Sequence, residues 1–387
     1  MKKLLAAVCA GAACVACAEP SGDRPDDTHA WAVHDVNRPN PVQVTVPQGG
    51  APSDALVLFD GTPESIAQHW RSQDGGPSKW CVKDGMFVCA PGSGSAFTKE
   101  DFGDCQLHVE WQTPVNDVEG WGNSGVILMG CYEIQILDSS AIVPSKSPWK
   151  PANYADGQAG AVYGQNPPLV NPCRKPGEWQ SYDIVFHPPR REEGRLVDPG
   201  SVTVFFNGVL VQDNWQLQGM TAWCRRNKGH AATSAGPLRL QDHGHPVPFR
   251  NIWVRRIPAR QENCENGGPY VNYAKVAALR HELAGQSRAF ADATSDPLER
   301  FIRLWESFCY EPDRAVKARL AAAETDCVAA LKARDPKVVQ PYHVSSLTRF
   351  VKMLVAGGWL PKDGPLEKAL RDYEAPPRPT APNKRDF

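Results

Sequence analysis

The sequence predicts a mainly β protein: a two-sheet sandwich of jelly-roll type, followed by a small α-helical C-terminal region. Three observations predict it. Short apolar or alternating runs, each bounded by turn residues, recur from Leu56 to Ile257. The 35 prolines, 32 glycines and 12 tryptophans suit a turn-rich β chain better than a helical bundle. Beyond Pro258 the apolar spacing changes from strand-like alternation to helical spacing.

The N-terminus carries a targeting signature. Lys2 and Lys3 precede an apolar run from Leu4 to Ala16, too short to span a bilayer, which predicts a signal peptide over residues 1–18. Ala16-Cys17-Ala18 offers an A-x-A cleavage site. Cys17 after Val15-Ala16 also resembles a bacterial lipobox, although Cys14 stands where a leucine is usual. Either route predicts export to the periplasm or cell surface; the second adds a lipid anchor to the membrane surface. Residues 19–53 are polar and proline-rich, an extended lead-in rather than a domain. Within it, Val42 to Val46 alternates and could add an edge strand.

The strands follow in order. Leu56-Val57-Leu58-Phe59 is short and apolar. Trp80 to Ala90 predicts a hairpin around Asp84-Gly85. Gln106 to Trp111 alternates. Val126 to Asp138 gives two strands broken at Gly130. Ser139 to about Gly157 is a long irregular segment, and loops of that length in compact domains usually serve function. Glu178 to Phe186 is a strand. Ser201 to Phe206 and Val209 to Val211 flank the hairpin turn Asn207-Gly208. Pro237 to Gly244 and Phe249 to Ile257 complete the sandwich, which occupies residues 54–258.

The helical region spans 270–374. Tyr273 to Ala293 has helical spacing. Asp296-Pro297-Leu298-Glu299 supplies an N-cap, a first-turn proline and a capping-box acid. Leu298, Phe301, Ile302, Trp305 and Phe308 form one apolar stripe, which predicts packing. Helices from about Pro312 to Ala333 and Val344 to Ala356 follow, the latter stopped by Gly357-Gly358. The tail 375–387 is proline-rich and predicted to be loose.

Charge and cysteines exclude several functions. A formal charge of −1 leaves no electrostatic footprint for nucleic acid. Nine cysteines follow Cys17, without any C-x-x-C pair, which disfavours a cysteine zinc site. Cys81 and Cys89 could meet across their hairpin. Cys309 and Cys327 are too far apart along the predicted helix to be bridged. No G-x-S-x-G, H-E-x-x-H or phosphate-cradling loop is present.

Two strand faces could carry chemistry. Glu133 and Gln135 share one side of their strand, with Tyr132, Ile134 and Ile136 behind. Arg239, Gln241 and His243 share another, and Asn123 sits in a glycine turn. If the two strands share a sheet, an acid, an imidazole, amides and a guanidinium converge on its open face. That set suits sugar hydroxyls and proton transfer. Asp138 falls on the face opposite Glu133, which argues against glycoside hydrolysis by two opposed carboxyls.

The motifs Leu58-Phe59-Asp60-Gly61, Gly122-Asn123-Ser124-Gly125, Tyr132 to Asp138, Gly160-Ala161-Val162-Tyr163-Gly164, Gly177-Glu178-Trp179 and Leu240-Gln241-Asp242-His243-Gly244 appear in order. From about Ala55 to Pro258 the chain resembles the 3-keto-disaccharide hydrolase family. The resemblance implies a concanavalin A-like jelly-roll sandwich that cleaves glycosides oxidised at C3. It departs from the family pattern at Met129, where an arginine is expected. On this resemblance Glu133 or His243 is the base. Asn123, Gln135, Tyr163, Arg239 and Gln241 hold the carbohydrate. A divalent metal is possible, with Glu133 and His243 as its ligands. The alternative is a non-catalytic, lectin-like binding domain with a helical interaction tail.

Overall fold

A computed structural model describes residues 23–115, 121–141, 154–259, 262, 264–268, 271–335, 338–339 and 341–373. The predicted signal peptide and the tail lie outside the described residues, as does most of the irregular segment after Ser139. The chain divides into two compact units. One holds residues 42–259; the other takes in the residues up to 41 together with those from 260 onward.

The first unit is the sandwich. Its strands are β1 (Leu56–Phe59), β2 (Trp70–Arg71), β3 (Cys81–Lys83), β4 (Met86–Val88), β5 (Ala96–Phe102), β6 (Cys105–Trp111), β7 (Ser124–Leu128) and β8 (Tyr132–Ile136). They continue as β9 (Gln180–His187), β10 (Arg190–Glu192), β11 (Arg195–Asp198), β12 (Ser201–Phe206), β13 (Val209–Gln216), β14 (Gly236–Leu240) and β15 (Pro248–Arg256). A large sheet runs β13-β12-β9-β6-β15-β4-β3, with β1 also paired to β15. A second sheet runs β2-β5-β14-β7-β8, and β10-β11 form a small ribbon. Every strand pair is antiparallel, and several join strands far apart in sequence, as β5 with β14 and β1 with β15. This is the jelly-roll sandwich the turn-rich pattern predicted.

The core lies between the sheets. Alternating residues of the large sheet, such as Leu107, Val109 and Trp111 on β6, meet Val126, Leu128, Ile134, Ile136, Leu238 and Leu240 of the second. Trp111, Tyr182 and Phe206 pack as an aromatic cluster with centroids 5.0–5.7 Å apart. The Tyr182 hydroxyl donates to the Gln135 carbonyl at 2.6 Å, which ties the large sheet to β8 across the core. A buried phenol needs such a partner.

Some expectations differ from the structure. Residues 42–46 form no strand. The 80–90 hairpin forms, but Cys81 pairs with Val88, so Cys89 lies one residue out of register with it. Cys81 is exposed and Cys89 buried, and both are free thiols. One residue of offset points a strand side chain to the other face. β5 is not legible in the sequence because Lys99-Glu100-Asp101 masks its alternation, although Ala96, Thr98 and Phe102 are buried. The short helix α1 (Pro63–His69) was not expected either; Thr62 caps it, accepting from the Ser65 amide at 3.3 Å.

The second unit is helical: α2 (Tyr273–Ala293), α3 (Pro297–Tyr310), α4 (Arg314–Ala333), α5 (Pro341–Ala356) and α6 (Pro365–Arg371). Asp296 caps α3 as predicted, accepting from the Leu298 amide at 2.8 Å. The α3 stripe is packing: Leu298, Phe301, Ile302 and Trp305 join one buried core with residues of α4, α5 and α6. The start of the proline-rich lead-in belongs here. Ala30 and Trp31 pack with Val276, Leu283 and Ala284, and Tyr310 donates to Asp35 at 2.6 Å. Among the described residues no helix is long and apolar enough to cross a membrane.

Candidate functional site

The two predicted polar strands do lie in one sheet, separated by β7. Arg239 pairs with Ile127, and Ile127 pairs with Glu133. Directly opposed residues in antiparallel strands share a face. The same line extends the other way, because Arg239 also pairs with Phe97 and Phe97 with Arg71. One row therefore runs Arg71, Phe97, Arg239, Ile127, Glu133 across all five strands. The guanidinium carbons of Arg71 and Arg239 lie 5.4 and 5.8 Å from the Phe97 ring centroid, within cation–π reach. The next row holds the amides. The Gln241 amide donates to the Gly125 carbonyl at 3.0 Å, and Gly125 pairs with Gln135.

Gly125 is what lets these rows close up. A Cβ there would stand 2.5 Å from Glu133 Oε1, so the carboxylate lies over a bare stretch of β7. Beyond β8 the chain returns as an irregular edge. Tyr163 donates its amide to the Glu133 carbonyl at 3.1 Å, and the Glu133 amide donates to Thr221 Oγ1 at 3.0 Å. The backbone of Glu133 is thus fixed on both sides while its side chain stays over the sheet.

The face is not the solvated surface that alternation suggests. Glu133 is only 5 % exposed and Gln135 only 2 %. Burial pushes the Glu133 carboxyl up to about 7, against the opposing pull of the Arg239 charge. Burial likewise lowers Arg239, and Glu133 partly restores it. Three polar atoms of these two rows, Gln135 Oε1, Arg239 Nε and Gln241 Oε1, are buried without a hydrogen-bond partner. Unmet polar groups in a fold are costly, and their clustering on one patch marks a place where a polar ligand would complete them.

Of the remaining predicted residues, the structure sets His243 apart and keeps Tyr163 beside Glu133. β14 ends at Leu240, so the alternation that placed His243 beside Arg239 and Gln241 stops before it. His243 is exposed in the following bend, its ring 6.0 Å from that of His245 and nearly parallel to it. Asp242 shapes that bend by accepting from the Gly94 and Gly244 amides. No described contact joins His243 to Glu133. Asn123 is half-buried in the turn feeding β7. Tyr163 stands at the edge of β8, close enough to Glu133 for the carboxylate charge to help raise its phenol, after burial and a hydrogen bond with Tyr154. Met129 is buried in the sandwich core, in a left-handed turn conformation. The divalent site does not assemble: Glu133 has an arginine for its charged neighbour, and no three His, Cys, Asp or Glu converge among the described residues.

Sequence reasoning missed Phe97 and Arg71, which lie on strands it did not identify. It also missed Tyr154, Trp223, Arg225 and Arg226, which lie on loops where no periodicity points to them. The exposed Trp223 and the paired arginines were the available signal.

A sandwich sheet with a buried acid, a guanidinium and unpartnered amides on one face suits a polar ligand such as a sugar, and the relatives place the protein among carbohydrate-hydrolase-like proteins. Residues 54–255 match the 3-keto-alpha-glucoside-1,2-lyase-like domain, and the chain belongs to that family. It is 25 % identical over 240 residues to a 3-keto-disaccharide hydrolase of Bacteroides thetaiotaomicron, covering 52 % of this chain and 77 % of that one. A solved structure of a candidate glycosyl hydrolase from Parabacteroides distasonis superposes with a TM-score of 0.51 at 41 % identity, over 57 % of this chain and 93 % of that one.

Proposed function

We propose that the protein cleaves 3-keto-glycosides, with Glu133 as the general base. The observation that carries this is a buried carboxylate, raised to about 7, in register with an arginine whose Nε has no partner. A base is most effective when its pKa lies near the working pH. A C3 ketone acidifies the neighbouring C2 proton, so one base suffices and no second opposed carboxyl is required.

Glu133 takes the C2 proton, and the C2–H electrons form an enolate with its charge on O3. Arg239 offers that oxygen a buried donor, worth far more there than in water. As O3 regains its carbonyl, the C1–C2 double bond forms and the C1–O bond breaks. The aglycone leaves with the proton returned by Glu133. Water then adds across the double bond. Gln135 and Gln241 bind ring hydroxyls. We further propose that the protein works outside the cytoplasm, after cleavage or lipidation near Cys17; the mass of the mature N-terminus tests that part.

The reaction is tested with a 3-keto-β-glucoside carrying a chromogenic aglycone, beside its unoxidised parent. Release from the keto substrate alone is expected. No release from either, with binding of the keto sugar retained, would leave a lectin-like protein. Release from the unoxidised parent would favour ordinary hydrolysis.

A further inference from the structure

A pocket of about 430 Å³ opens beside the β8 edge, lined by Tyr154, Asp156, Tyr163, Trp223, Arg225 and Arg226. We propose that this pocket is the leaving-group subsite and that it selects a planar, anionic aglycone. The inference rests on the 3-keto-glycoside reading above for what occupies the neighbouring site.

The position follows from the sheet. The row that passes from Arg239 to Glu133 next meets Tyr163, whose amide is bonded to the Glu133 carbonyl. In the substrate, C3 carries the ketone, C2 the proton and C1 the aglycone. A ring with its ketone at Arg239 and its C2 proton at Glu133 directs C1 and its substituent toward Tyr163.

The chemistry follows from the lining. Three aromatic side chains border one space, and Trp223 is 69 % exposed, an unusual place for an indole that no core needs. Tyr154 lies where it does because residue 157 is glycine: a Cβ there would overlap the Tyr154 ring. Two arginines face one aspartate, so the lining is net positive. Arg226 reaches Gln218 at 3.4 Å, while no described contact occupies the Arg225 guanidinium. Arginine is suited to a carboxylate through two parallel hydrogen bonds, and to stacking on planar groups.

The loop is held for the task. Thr221 donates its amide to the Cys131 carbonyl at 2.8 Å and accepts from the Glu133 amide. Met220 donates to the Gly229 carbonyl at 2.9 Å, closing the loop on itself. Gln165 pins its base, donating to the Gly219 carbonyl at 2.8 Å and accepting from the Gln218 amide at 2.8 Å. Trp223 is thereby anchored two residues from a group bonded to the proposed base.

Two measurements test this. Binding of 4-hydroxybenzoate and of phenol is followed by quenching of tryptophan fluorescence, in wild type, Trp223→Ala and the double variant Arg225→Ala/Arg226→Ala. Turnover is compared for 3-keto-β-glucosides with 4-carboxyphenyl and phenyl aglycones. We expect 4-hydroxybenzoate to bind about tenfold more tightly than phenol, the scale of one charge-assisted contact, and less so at high salt. The same preference should appear in kcat/KM, vanish in the double arginine variant, and leave a general loss in Trp223→Ala. Arginine-dependent binding without turnover of either glycoside would uphold the subsite and sink the 3-keto-glycoside reading. Turnover with no aglycone preference, or a preference the double variant keeps, would overturn the subsite and spare the reaction.

Discussion

Two strand-borne polar clusters of the sandwich are built in opposite ways. In the cluster around His108, on the outward face of β6, β9 and β15 of the large sheet, acid, imidazole, guanidinium and amide are matched to one another. His108 meets Asp183 at 2.7 Å, Arg250 donates to Glu110 at 2.6 Å, and Asn251 donates to Glu110 at 2.8 Å. Trp253 stacks on the His108 ring with centroids 5.1 Å apart. Burial alone would lower His108, but the hydrogen bonds it donates to Asp183 and Glu110 raise it to about 9; burial would raise Glu110, but His108, Asn251 and Arg250 hold it at about 2. On β7, β8 and β14 the acid is buried and raised, and the amides and guanidinium around it have atoms without partners. A closed network holds a fold together, whereas an open one is waiting for a ligand. Histidine beside carboxylates is therefore the misleading cluster, and the lone acid over Gly125 the informative one.

The largest expected effect breaks the open cluster. Glu133→Gln should lower kcat/KM on a 3-keto-glycoside by about a thousandfold, the range of a lost general base. It should also leave the thermal midpoint unchanged or higher, because it removes a charge the fold must desolvate. A variant that keeps wild-type turnover would remove Glu133 from the chemistry. Arg239→Gln should follow at about a hundredfold, the scale of one lost oxyanion donor. An effect on KM alone would make Arg239 a substrate holder and not an enolate stabiliser.

The closed cluster should answer with stability instead. His108→Ala should destabilise the sandwich by about 2 kcal/mol in urea melts while turnover stays within about twofold of wild type. Loss of activity without loss of stability would reverse the comparison.

The smallest effects are those of pH: activity should rise where the Glu133 contribution to stability falls, and Glu133 and His108 lose stabilisation in the same direction but in different windows. Glu133 is ionised only above about 7, so kcat/KM should rise with pH through that value and flatten beyond it. The folded carboxyl holds its proton better than the unfolded one, so its contribution to stability falls as pH climbs from about 4.5 to 7. His108 is raised from 6.5 to about 9, so its stabilisation is full below 6.5 and is lost as pH rises through 9. Stability profiles of Glu133→Gln and His108→Ala, each subtracted from wild type, would separate the two.

The sequence showed one half of the site well. Alternation alone puts Glu133 and Gln135 on one face and the isoleucines on the other. It put Arg239 and Gln241 together by the same logic. It overshot at His243, because a period of two cannot say where a strand stops, and β14 turns at Leu240 once Asp242 begins to accept loop amides. That Arg239 stands across Ile127 from Glu133 was beyond local reading: β14 begins about a hundred residues after β8, and only closure of the whole sandwich brings them together. The helices were far more legible. Their caps, as at Asp296, act within a few residues, and their stripes repeat every turn.

The row from Arg71 to Glu133 also constrains how this gene can vary. Each of its five residues comes from a different strand, and each depends on parity for its direction. A one-residue insertion at the start of β8 would invert the side chains beyond it, sending Glu133 and Gln135 into the core and Ile134 and Ile136 onto the opposite face. The loops that carry Tyr154 and Trp223 obey no such parity and can lengthen or shorten without disturbing the row. New substrate preferences should therefore arise by insertions and deletions at the rim, while the strands that hold the acid change only by substitution.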